Sequence, residues 1–197
     1  MNKGRLEAFS DGVLAIIITI MVLEMKVPTG PGSHDVSALG LLWPKFLSYA
    51  LSYVYIGIYW NNHHHMLHAV ERINGKVLWP NLHLLFWLSL VPFVTGWMGE
   101  NHFAPVPTAA YGFVLLMAAV AFTILQRVLV AQQPEHSRLK TAVRDTRKEW
   151  VSMAIYVSAI PLAFVNQWIS DALFVTVALI WLVPDRRMES AIARGGE

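Results

Sequence analysis

Arg5-Leu6-Glu7-Ala8-Phe9-Ser10-Asp11-Gly12-Val13-Leu14-Ala15-Ile16-Ile17-Ile18-Thr19-Ile20-Met21-Val22-Leu23-Glu24 is the stretch on which the fold turns. It carries no charge from Gly12 to Leu23. Extended to Leu6 and Met25, it reaches the roughly 20 residues that a helix needs to cross a bilayer. One acid, Asp11, falls inside it. A carboxylate at membrane depth costs about 2.5–3.5 kcal/mol on insertion scales, so it either finds a protein partner or caps the helix in the headgroup region. Arg5 is not that partner, because neighbours on a helix face stand three or four residues apart. A histidine of the second span or a polar residue of the third is the expected one. Above Asp11 the only polar side chain before Glu24 is Thr19. At 100° per residue Ile16, Ile20 and Leu23 share a stripe with Thr19 on its border, a pattern that suits lipid contact or core packing more often than a pore lining.

Further charge-poor stretches follow. Residues 46–67 form a second expected span, closing on Asn61-Asn62-His63-His64-His65, and residues 77–99 a third, with Pro80 near its start and Pro92 inside. The fourth, 105–127, opens through Pro105 and Pro107, where proline suits a first helical turn. From Trp150 to Pro184 only Asp171 is charged, and at 1.5 Å per residue that run is about 50 Å long, too much for one crossing of a ~30 Å core. Asn166-Gln167 and Ser170-Asp171 supply a polar break, giving a hairpin of spans 149–166 and 168–184. The expected fold is therefore all-α: a single polytopic membrane domain of six helices over 1–197, with a soluble loop at 132–149. Pro92 and Pro161 are expected to kink the third and fifth helices, which neighbouring helices in a membrane tolerate.

The composition agrees. Hydrophobic residues make up 55% of the chain and charged ones 14%, against about 25% charged in soluble domains. That excludes an ordinary soluble enzyme, and the apolar content excludes disorder. With no cysteine there is no disulfide, no thiolate metal site and no thiol nucleophile. The apolar runs are continuous rather than alternating, which excludes an outer-membrane barrel. Asp11 and Glu24 bracket the first run and no small-residue cleavage site follows, so it reads as a retained span rather than a signal peptide. A net charge of +2 gives no reason to expect nucleic acid. Its distribution sets the topology: with the N-terminus inside, thirteen of the fifteen Lys and Arg lie in inner segments and only Lys26 and Lys45 lie outside. Six spans then leave both termini cytoplasmic. The 132–149 loop carries Arg138, Lys140, Arg144, Arg147 and Lys148, either as a solvated linker or as a contact for anionic lipid. Trp43, Trp79, Trp97, Trp150 and Trp168 fall near span ends, as interfacial anchors do.

The string R-L-E-A-F-S-D-G followed by A-I-I-I-T-I-M-V-L-E resembles the signature of the transmembrane protein 175 family of potassium channels. These are lysosomal in animals and have single-repeat prokaryotic relatives of about this length. Phe9, Ser10 and Asp11 match its F-S-D motif and Arg5 the arginine before it; the likeness is dense over Arg5–Pro28. Farther on, W-N-N-H-H-H and P-N-L…P-F are similar more loosely. The resemblance implies a homotetramer in the inner (plasma) membrane, with the first helices lining a central pore for potassium and no cofactor. Ile16 matches the hydrophobic constriction, Ile20 and Leu23 the apolar layers beyond it, and Thr19 a hydroxyl layer. Arg5, Phe9, Ser10 and Asp11 match a polar network that braces the pore helix, and His64, His65 and His83 are expected in it. The chain contains no T-V-G-Y-G-like loop and no regularly spaced arginines, so neither a carbonyl filter nor a voltage sensor is expected.

The histidines support a rival. His64 with His68, or His65 with His68, share a helix face as in two-His metal sites, which suits a His-rich, metal-dependent membrane enzyme. No H-E-x-x-H occurs, and the nearby acid is Glu71. A histidine paired with Asp11 would instead make the protein respond to pH.

Overall fold

Proline sets several helix starts, because a residue without an N–H loses nothing in a first turn. The computed structural model describes residues 3–70, 73–134, 137, 139–140 and 146–182, and each of its regular elements is helical. In order these are α1 (Lys3–Met21), α2 (Val36–Gly40), α3 (Trp43–His68), α4 (Leu78–Ser89), α5 (Val91–Glu100), α6 (Pro105–Ala131), α7 (Arg147–Leu162) and α8 (Gln167–Leu182). Short 3-10 turns at Val22–Glu24 and Gly75–Val77 extend α1 and precede α4. Pro44, Pro92 and Pro105 stand in the first turns of α3, α5 and α6.

By length and composition three stretches among the described residues are apolar enough to cross a membrane: Lys3–Glu24, Gly75–Glu100 and Pro105–Ala131. Helix α8 is a shorter apolar helix. Helix α3 has 26 residues, about 39 Å, and its polarity comes from the Asn and His run at its end. The third expected span stands as one apolar stretch, Gly75–Glu100, whose helix is interrupted at Leu90 alone: α4 stops at Ser89 and α5 restarts at Val91, since Pro92 has no N–H to offer the Leu88 carbonyl. Other expectations need correction. Pro161 does not kink a span, because α7 ends one residue later. The α7–α8 turn is at 163–166, where the Asn166 side chain accepts the Trp168 N–H at 3.0 Å. Ser170 and Asp171 lie inside α8, and Ser170 Oγ ties the arms together by donating to the Ala159 carbonyl at 2.7 Å. The short α2 was not expected at all. The end of the sixth expected span, part of the 132–149 loop, and Arg72, Arg138, Arg144, Arg186, Arg187 and Arg194 lie outside the described residues.

Helix α6 is the hub, packed against α4, α5, α7 and α8. Tyr55, Tyr111, Tyr156 and Phe174 form an aromatic centre among α3, α6, α7 and α8, with Tyr55 Oη donating to the Phe174 carbonyl at 2.6 Å. Helices α3 and α5 approach closely at Gly99, where a Cβ would lie 2.9 Å from the Lys45 Cα. Lys45 also reaches Glu100 at 3.0 Å across this crossing. Helix α1 packs on α3, α4 and α5 and so occupies the rim of the bundle.

Candidate functional site

The first helix has one side committed to the bundle. Leu6, Ser10, Leu14, Ile17 and Met21, at the three- and four-residue intervals of a single stripe, are buried. The opposite side is free in the subunit: Ile16 is 60% exposed, Leu23 71% and Phe9 52%, while Thr19 and Ile20 are also exposed. Ile17, next to Ile16, is 3% exposed. All four residues expected to line a pore therefore share the unpartnered face. The Thr19 hydroxyl donates back to its own helix, with the Ala15 and Ile16 carbonyls each at 3.0 Å, and so turns lone-pair density outward.

The N-terminal end of α1 is fastened by polar contacts. Asn81 of α4 donates from Nδ2 to Ser10 Oγ at 3.0 Å, and its Oδ1 lies 2.8 Å from His63 Nε2 of α3. An amide oxygen only accepts, so His63 Nε2 carries the hydrogen. All three side chains are buried. Trp60 Nε1 donates to Asp11 Oδ1 at 3.0 Å. Lys3 Nζ donates to the His68 and Val70 carbonyls at 2.9 and 3.0 Å, satisfying acceptors that the end of α3 leaves open. At the other end Glu24 rests on α5, where a Cβ on Gly96 would lie 2.8 Å from Oε2.

Of the expected network, the structure joins Ser10 and Asp11 to neighbouring helices, but through partners other than those expected. His63 reaches Ser10 through Asn81, and Trp60 holds Asp11. His64 is exposed and stacks between Trp60 (ring centroids 5.8 Å) and His68 (6.1 Å). His65 is half-buried, and His83, also half-buried, accepts from Trp87 Nε1 at 2.9 Å within its own helix. Arg5 and Phe9 are exposed on the free side. A signal for His63 was present: it stands seven residues after the buried Ile56 and four before the buried Leu67, a phase that His64 and His65 miss. Asn81 and Trp60 gave none, being paired by tertiary packing. Among the described residues no group of three or more His, Asp or Glu is placed to hold a metal.

These features define a helical membrane protein whose first helix is braced at its N-terminal end and leaves an apolar face, with the Thr19 hydroxyl on it, uncovered by the rest of the chain. The family described as endosomal/lysosomal potassium channel TMEM175 matches residues 5–92. A potassium channel of Chryseobacterium sp. (strain P1-3) is 52% identical over 98% of both chains. The crystal structure of a lysosomal potassium-selective channel TMEM175 homolog from Chamaesiphon minutus superposes with a TM-score of 0.80 at 31% identity, covering 92% of this chain and 96% of that one. The endosomal/lysosomal proton channel TMEM175 of Rattus norvegicus is 29% identical over 83% of this chain and 36% of its own length. The chain belongs to the TMEM175 family.

Proposed function

We propose that the protein is a potassium-selective or potassium-preferring cation channel. It is a homotetramer in the cell's inner (plasma) membrane, each subunit spanning six times with both termini in the cytoplasm. Spans near 6–25, 46–67, 77–99, 105–127, 149–166 and 168–184 surround a central pore lined by α1. Ile16 forms the hydrophobic constriction, Ile20 and Leu23 the apolar layers beyond it, and Thr19 the hydroxyl layer. No carbonyl filter takes part. Conduction through such a ring depends on wetting, and selectivity on pore radius and on the hydration tolerated beside Thr19, whose outward lone pairs favour a cation. The network around Ser10, Asp11, Asn81 and His63 holds the pore helix in register and stays out of the ion path.

The observation that carries this reading is the division of α1 into a buried stripe and a free one, with Ile16, Thr19, Ile20 and Leu23 all on the free side. The names of the bacterial relatives supply the ion. Because the chain has no native cysteine, single cysteines can be scanned along α1 without a background. A charged thiol reagent is expected to block current through Ile20→Cys and Leu23→Cys and to leave Ile17→Cys and Met21→Cys unaffected. Equal modification of both sets, or block confined to the buried set, would place the pore elsewhere.

A further inference from the structure

Away from α1, a cavity of about 40 Å³ lies within the subunit among α3, α6, α7 and α8, at the end where α3 finishes and α7 begins. Five of its lining residues are aromatic: Tyr55 and Tyr59 from α3, Phe122 from α6, Tyr156 from α7 and Trp181 from α8, with Asn62, Thr123 and Ser152 as neutral polar neighbours. Tyr59 and Phe122 meet edge-to-face with centroids 6.0 Å apart. Among the described residues Glu149 is the one charged side chain lining it. Gln126 of α6 hydrogen-bonds that carboxyl, and Arg127 acts on it from an exposed position, where solvent screens its charge.

Rings supplied by four helices around a single carboxylate are the chemistry that recognises a cation with an apolar body. The negative ring faces attract an ammonium, and the carboxylate gives it a counter-charge. Among the described residues no basic side chain lines the cavity, so an anion meets a carboxylate there without a counter-charge. A buried water needs at least about 10–15 Å³ on this measure, so the enclosed space holds roughly three waters, the size of an ammonium head with one or two carbons. A longer tail leaves through the open side. We propose that this cavity is a binding site for a small organic ammonium, a primary alkylamine in its protonated form, separate from the ion path.

The test is calorimetric titration of the detergent-solubilised full-length protein with n-butylammonium, n-butanol and n-butanoate. Butylammonium is expected to bind at least tenfold more tightly than either analogue, and Glu149→Gln to abolish that preference while the tetramer and its potassium current persist. The wild-type comparison stands without any variant. Equal binding of the amine and the alcohol, or no binding of any of the three, overturns the proposal. An Ile16→Asn protein separates this site from the pore: here it retains the preference. Its loss in Ile16→Asn together with retention in Glu149→Gln would place the amine in the ion path and refute the site.

Discussion

Asn81 fixes the N-terminal half of α1 from a neighbouring helix, since one amide serves Ser10 and His63 at once. Replacing it with leucine removes both contacts and leaves two buried polar groups unsatisfied. At about 1–3 kcal/mol for each orphan, a lower melting temperature is expected, read by thermal unfolding in detergent. Asp171 presents the opposite case. Both of its carboxyl oxygens are buried with no hydrogen-bond partner among the described residues. Asp171→Leu is expected to raise the melting temperature, because removing an unpaired buried polar group relieves its desolvation cost. A fall comparable to that of Asn81→Leu would mean that Asp171 has a partner outside the described residues. Sequence made Ser10 and Asp11 visible as polar groups in an apolar run, but it named His64, His65 and His83 where the structure uses His63. The identity of their partners was not legible, because Asn81 and Trp60 meet them across helices far apart in the chain.

Helix extents were the most legible feature, since an apolar run ends where the charges and prolines begin. Pro92 interrupts the third span at Leu90, as a proline inside a helix does. Here α5 is held by α3, through Gly99 against the Lys45 backbone and Glu100 against its ammonium. Gly99→Ala inserts a methyl group where the two backbones meet. A loss of about 1–3 kcal/mol is expected from overpacking, measured by thermal unfolding. Unchanged stability would show that α3 and α5 separate without cost. The α7–α8 turn was placed a few residues late: Ser170 looks like a turn residue in sequence but uses its hydroxyl to bind the facing arm.

At the level of the molecule, α1 sits at the rim with Ile16, Ile20 and Leu23 on its free face. In the proposed tetramer a symmetric ring of copies encloses that face. Ile16 and Ile17 are adjacent in sequence and opposite in consequence. Ile17→Asn puts an amide into the bundle and is expected to cost about 2–4 kcal/mol in subunit stability. Ile16→Asn is expected to leave folding intact and to change conductance by wetting the constriction. The most direct measurement is the reversal potential of the purified protein in a planar bilayer, with potassium on one side and sodium on the other. A shift toward the potassium equilibrium potential, reduced by Ile16→Asn, is the expected result. A reversal potential that ignores the potassium gradient, or one that Ile16→Asn leaves unchanged, would contradict a potassium pore constricted at Ile16.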